Sequence, residues 1–138
     1  MAYHYEILAH PADIKLKVVA DKKEELFLGA LKGMAGIIYH STPQEEKNII
    51  KEKLEVSSAE IDILLIDFLS DVLTKSDIHN AIFNEIEIKE LKEDFIKAEI
   101  RGKKIEKFDE EIKAVTYHGL KIKQNEKGEY EAEILFDV

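Results

Sequence analysis

SSAEIDILLIDFLSDVLTK, residues 57–75, is the stretch on which the fold turns. Ile61, Leu64, Leu65, Phe68, Leu69, Val72 and Leu73 recur at helical spacing and form a wide apolar stripe. Ile63 and Ile66 thicken it, so the helix should be largely covered. Ser57 with Glu60 three residues on has the pattern of a capping box. The spacing predicts a helix over about Ser58 to Lys75. Asp67 and Asp71 share a face of it, with Asp62 one turn earlier. They read either as a solvated edge or as a negative patch for a cation or a basic partner.

Upstream, Asp21 and Glu24 repeat the capping pattern. Leu26, Phe27, Ala30, Leu31, Met34 and Ile38 then fall on one face, which predicts a helix from about Lys22 to Tyr39. Before it, Tyr3 to Leu8 reads as a strand, and Ile14, Leu16 and Val18 alternate as a half-buried strand does. Pro43 opens a connector, and Asn48 to Val56 reads as a third strand. Downstream the period changes to two. Ile82, Ile86 and Ile88 share one parity, and Ile96, Ala98 and Ile100 another, with Gly102 taken as the end of that pair. Lys103 to Glu111 is a charged excursion, and Ile112 to Tyr117 suits a strand or a short helix. Leu120 and Ile122 alternate with lysines. Asn125-Glu126-Lys127-Gly128 is a turn signal, and Tyr130 to Phe136 closes a hairpin.

The order β-β-α-β-α followed by several strands is neither strict βαβ alternation nor all-β. It predicts an α+β fold: two helices packed on a mostly antiparallel mixed sheet, a single two-layer domain over residues 1–138. A chain of 138 residues is long enough to bury a core without metal or disulfide staples.

The net charge of −9 disfavours strong direct binding to nucleic acid, and suits a cation or a basic partner. With no cysteine, disulfides, zinc–thiolate sites and cysteine nucleophiles are excluded. MAYHYEIL lacks the basic and long apolar regions of a signal peptide, and no apolar run is long enough to span a bilayer. The expectation is a cytoplasmic protein without a membrane partner.

No phosphate loop, GxGxxG, GxSxG, HExxH or EF-hand pattern occurs, and no serine or threonine forms a recognisable triad. HPAD, residues 10–13, joins the first two strands. Asp13 there is either a turn aspartate capping local amides or an oxygen ligand for a hard cation. A second oxygen source is the apolar, strand-like ILFDV, residues 134–138, where Asp137 brings a side chain and Val138 a main-chain carboxylate. His10 and His118 read as metal-site or acid–base residues, or as half-buried hydrogen-bonding histidines. His4, His40 and His79 have no evident chemical neighbours in the sequence.

HPADI at 10–14, LLIDFLSDVL at 64–73, EIKAVTYHGLKI at 111–122 and the closing FDV together resemble the archease family, in its order and spacing, over essentially the whole chain. KAVTYH is the most specific block. Pro11 stands where the family usually has threonine, which removes a hydroxyl beside the proposed site. The resemblance implies a small non-catalytic activator of the RtcB-type tRNA-splicing ligase. Such an activator promotes guanylylation of the ligase by GTP and so its multiple turnover. It also implies that the chain modulates the specificity of a tRNA methyltransferase in a chaperone-like way. It further implies a calcium-type divalent site at Asp13, Asp137 and Val138, with His10 and His118 either supporting the ion's ligands or touching the partner, and no catalytic residue. The alternatives are a metal-dependent phosphoesterase using the same carboxylates and a general chaperone-like binding protein.

Overall fold

The computed structural model describes residues 2–9, 13–41, 48–117 and 120–138. Eight strands and two helices follow one another as β1 (Tyr3–Ala9), β2 (Asp13–Ala20), α1 (Lys23–Ile38), β3 (Ile49–Ser57), α2 (Ile61–His79), β4 (Ala81–Lys92), β5 (Phe95–Lys104), β6 (Ala114–Thr116), β7 (Lys123–Gln124) and β8 (Tyr130–Asp137). The α+β class is as the periodicities predict. The strands divide between two sheets rather than forming one. The first runs β1-β2-β8-β6 with β7 also on β8, and the second runs β3-β5-β4. Every pairing in both is antiparallel.

Each helix reaches both sheets. α1 packs on β1, β2 and β8 and also on β4, while α2 packs on β3, β4, β5 and β6. This explains why ten of the sixteen α1 residues are buried, far more than a single stripe. Glycine lets α1 sit close: a Cβ at Gly33 would lie 2.6 Å from Leu16 Cδ1. Phe27 of α1 and Phe68 of α2 meet with ring centroids 5.5 Å apart, joining the helices.

Neither capping box forms. Both helices begin from extended residues, Lys22 and Glu60, without a side-chain cap. β3 runs through Ser57, which pairs with Phe95, so α2 starts only at Ile61. The Asp21 amide is given to the carbonyl of Ala2. α2 also runs past Lys75 to His79 and stops where Asn80 turns left-handed, at φ 51°. Asn80 then donates its side-chain amide to the Ile105 carbonyl, 2.6 Å away.

Gly102 does not end a strand pair. It lies inside β5, opposite Ile50 on one side and Phe83 on the other. A Cβ there would fall 2.0 Å from the Ile82 carbonyl oxygen, so the residue is a point of close backbone approach beside the β4 register shift at Phe83/Glu85. At the β7–β8 hairpin, by contrast, Gly128 does supply a positive φ, 79°, and Asn125 Oδ1 accepts the Lys127 and Glu129 amides.

The acidic edge of α2 is an anchor for the segment after β6. Asp67 accepts the Tyr117 hydroxyl and, at 2.6 Å, the Ser58 hydroxyl. Asp62 accepts the Ile122 amide at 2.9 Å, and Asp71 pairs with Lys75 at 2.8 Å. All three carboxylates are thus engaged within the molecule, which is neither the solvated edge nor the open negative patch that the sequence suggests.

Gly102→Ala should cost about 3 kcal/mol, as overpacking against an immovable backbone does. Gly128→Ala, with open space around it, should cost about 1 kcal/mol from left-handed strain alone. Urea unfolding midpoints should fall in that order. The hydrogen bond to Asp67 raises the Tyr117 pKa above its usual 10.0, with burial adding to it. The bond's stabilisation is therefore complete below pH 10 and lost as pH rises through the raised value. Tyr117→Phe should cost about 0.5–1 kcal/mol at neutral pH, and the difference from wild type should vanish in strongly alkaline melts.

Candidate metal centre

The central strand of the first sheet, β2, alternates between two environments. Ile14, Leu16 and Val18 point into the core, all at most 8% exposed, so Asp13, Lys15 and Lys17 share the opposite face. β8 alternates in the same way: Ala132, Ile134 and Phe136 are buried, which leaves Glu133, Leu135 and Asp137 on the other face. The two strands pair antiparallel with Ile14 opposite Phe136 and Leu16 opposite Ile134. That register sets Asp13 directly opposite Asp137. Residues so opposed have Cβ atoms about 4.5–5.5 Å apart and project to one side. β6 extends the row, with Ala114 opposite Asp137 on the far side.

The end of β8 is held in place. Lys113 donates its amide to the Asp137 carbonyl at 2.7 Å, and the partly buried Val138 packs against the core. Asp13 is half-buried and Asp137 exposed. On the same face Lys15 is engaged by Glu133, 3.7 Å away. Like charges directly across an antiparallel pair destabilise it unless something lies between them. Two carboxylates and a main-chain oxygen of Val138 are hard oxygen donors, the chemistry that calcium and magnesium take. They are fewer than the six to eight oxygens of a closed calcium site. Among the described residues, no three His, Cys, Asp or Glu side chains form a group able to hold a metal ion. A cation held by these oxygens would have to take its remaining ligands from water or from a partner.

His10 and His118, the two histidines expected near this pair, lie outside the described residues, as does Pro11. Two histidines without evident neighbours in the sequence do have them in space. His79 meets Glu52 of β3 at 2.5 Å and stands edge-on to Phe83. His40 donates its amide to Asp109 at 2.7 Å. Both contacts join segments far apart in sequence, so no local pattern marks them. No helix among the described residues is long and apolar enough to cross a membrane.

The Archease protein family (MTH1598/TM1083) matches residues 5–138. Curated archeases align over nearly the full length. That of Pyrococcus abyssi is 32% identical, over 98% of this chain and 96% of its own. That of Methanosarcina mazei is 29% identical, over 97% and 95%. Among solved structures, the solution structure of Methanobacterium thermoautotrophicum protein 1598 superposes with a TM-score of 0.74 at 22% identity, over 97% of this chain and 98% of that one. The crystal structure of an archease and possible chaperone from Thermotoga maritima superposes with a TM-score of 0.66 at 21% identity, over 96% of each chain. The two superpositions establish the fold, and the family match with the full-length relatives establishes the lineage: the chain belongs to the archease family.

Proposed function

We propose that this protein is a non-catalytic activator of an RtcB-type RNA ligase in tRNA splicing. It would promote the ligase's GTP-dependent guanylylation and multiple turnover. It would act through a divalent-cation site formed by Asp13, Asp137 and a main-chain oxygen of Val138. The observation that supports the site is the β2–β8 register, which brings the two carboxylates together from strands at opposite ends of the described chain. A cofactor protein needs a donor set that leaves coordination positions for its partner, and two carboxylates with one main-chain oxygen do so.

In this reading Asp13, fixed by its strand and half-buried, supplies the rigid ligand. The exposed Asp137 faces the partner. A divalent ion held there supplies charge neutralisation at a phosphate oxygen. β6 and the Lys113–Asp137 bond keep the end of β8 from fraying, so the pair is ready before the partner docks. The acidic surface carries the protein to the ligase's cationic nucleotide pocket rather than to bare RNA, given the net charge of −9. Modulation of a tRNA methyltransferase would use the same surface. The cytoplasm, where tRNA is joined and modified, is the proposed location.

Two measurements test the site. Calcium should raise the melting temperature of the wild type, by the equivalent of about 2.7 kcal/mol at roughly a hundred times its Kd. Asp13→Asn should lose that response. Without calcium it should be as stable as wild type or better by about 0.2–1 kcal/mol, because the cross-strand repulsion is gone. In multiple-turnover ligation with the matching ligase, Asp13→Ala and Asp137→Ala should each lose most of the stimulation, and full stimulation by both would sink the site. Phosphoester hydrolysis by the protein alone, abolished by Asp13→Ala, would instead mark a phosphoesterase. Suppression of unrelated aggregation, insensitive to Asp13→Ala, would mark a general chaperone.

A further inference from the structure

The edges of the two sheets are not treated alike. β6 and β7, at one side of the first sheet, are three and two residues long. β3 carries Lys51, Glu52, Lys53 and Glu55. β4 carries Glu85, Glu87, Lys89, Glu90 and Lys92, and two register shifts interrupt it. Shortness, charge and bulges are the usual devices that keep a strand edge from pairing with another chain. β1 is neither short nor bulged, and Glu6 is its one acidic residue. It is seven residues long, YHYEILA, pairs without a shift along its whole length with β2, and has no strand partner on its outer side among the described residues. Five large apolar side chains are exposed among the described residues, and three of them lie on this strand: Tyr5 at 38%, Ile7 at 40% and Leu8 at 39%.

The strand is complementary to itself. In an antiparallel pairing about a two-fold axis perpendicular to the sheet, one residue opposes its own copy. If Glu6 did so, two carboxylates would be set against each other, which is unfavourable. With Tyr5 at the centre, His4 opposes Glu6 of the second copy and Glu6 opposes its His4. Tyr3 then opposes Ile7 twice, and the two Tyr5 rings meet. Aromatic–aromatic, aromatic–β-branched and opposite-charge pairs are the favourable cross-strand combinations. On its inner side Glu6 already faces Lys17, so the charge alternation would continue across the junction.

We infer that β1 is a homodimerisation edge, on which a second copy of this chain adds its own β1 antiparallel, with Tyr5 opposite Tyr5. The two five-stranded sheets become one continuous sheet with both α1 helices on the same side. A seven-residue strand edge is a small contact, so the expected dimer is a weak and reversible one. It is independent of the Asp13–Asp137 pair and leaves that pair open.

Sedimentation equilibrium of the full chain across the micromolar range should show a reversible monomer–dimer equilibrium. Ile7→Lys, which sets a charge against Tyr3, should weaken it about tenfold or more while leaving the circular dichroism spectrum unchanged. The register is tested separately, because the chain has no cysteine of its own. Directly opposed residues lie within disulfide reach. Tyr5→Cys should therefore cross-link to itself on mild oxidation. His4→Cys mixed with Glu6→Cys should cross-link to each other, and Glu6→Cys alone should not. If Ile7→Lys fails to fold, the cysteine series decides. A monomer throughout, a dimer indifferent to Ile7→Lys, or Glu6→Cys joining itself as readily as Tyr5→Cys would each overturn the inference. So would a monomer whose β1 instead takes up an unrelated extended peptide.

Discussion

The pairing of β2 with β8 is the constraint on which the rest depends. β2 carries β1 on its other side, and β8 carries β6 and β7, so without this contact the first sheet is two separate pieces. It also specifies two things at once. Ile14 against Phe136, Leu16 against Ile134 and Val18 against Ala132 line the core under α1. Asp13 against Asp137 lies at the end of the same ladder but on the other parity. A slip of one residue would turn the carboxylates inward and the apolar residues out. The hydrophobic core therefore enforces the geometry of the acidic pair, and no special interaction at the pair itself is needed.

The second sheet and α2 serve that arrangement from the other side. Asp62 and Asp67 hold Ile122 and Tyr117, the flanks of the segment leading out of β6. β6 in turn borders Asp137. The acidic face of a helix, which by composition looks like a docking surface, thus spends its charge inside the molecule.

What the sequence disclosed follows the range of the interaction. Both helices, the alternating strands and the Asn125–Gly128 turn are local patterns and could be read directly. The capping boxes could not. Ser57 has the right residue type at the right spacing, but a cross-strand partner, Phe95, takes it into β3. Gly102 looks like punctuation, and only the β4 backbone at Ile82 shows that it marks a close approach instead. The division into two sheets rests on non-local pairings that no window of sequence contains. The approach of Asp13 to Asp137 is of the same kind. Residue chemistry made them candidates, family resemblance joined them, and the ladder supplies the physical reason. His79 with Glu52 was illegible for the same reason, since its partner belongs to another strand.

The β2–β8 ladder has a consequence for synthesis on the ribosome. β1, β2 and α1 emerge early, yet the inner side of β2 stays unpaired until residues 130–137 follow. Pairings between such distant segments are slow to form, and strand edges are open to wrong partners meanwhile. The β3-β5-β4 sheet, whose pairings span shorter stretches of chain than that of β2 with β8, can assemble sooner and offer α1 a surface on which to wait, because α1 also packs on β4. The acidic pair would then come into being with the last strand to be placed, so that Asp13 and Asp137 face each other only in a molecule whose first sheet is closed.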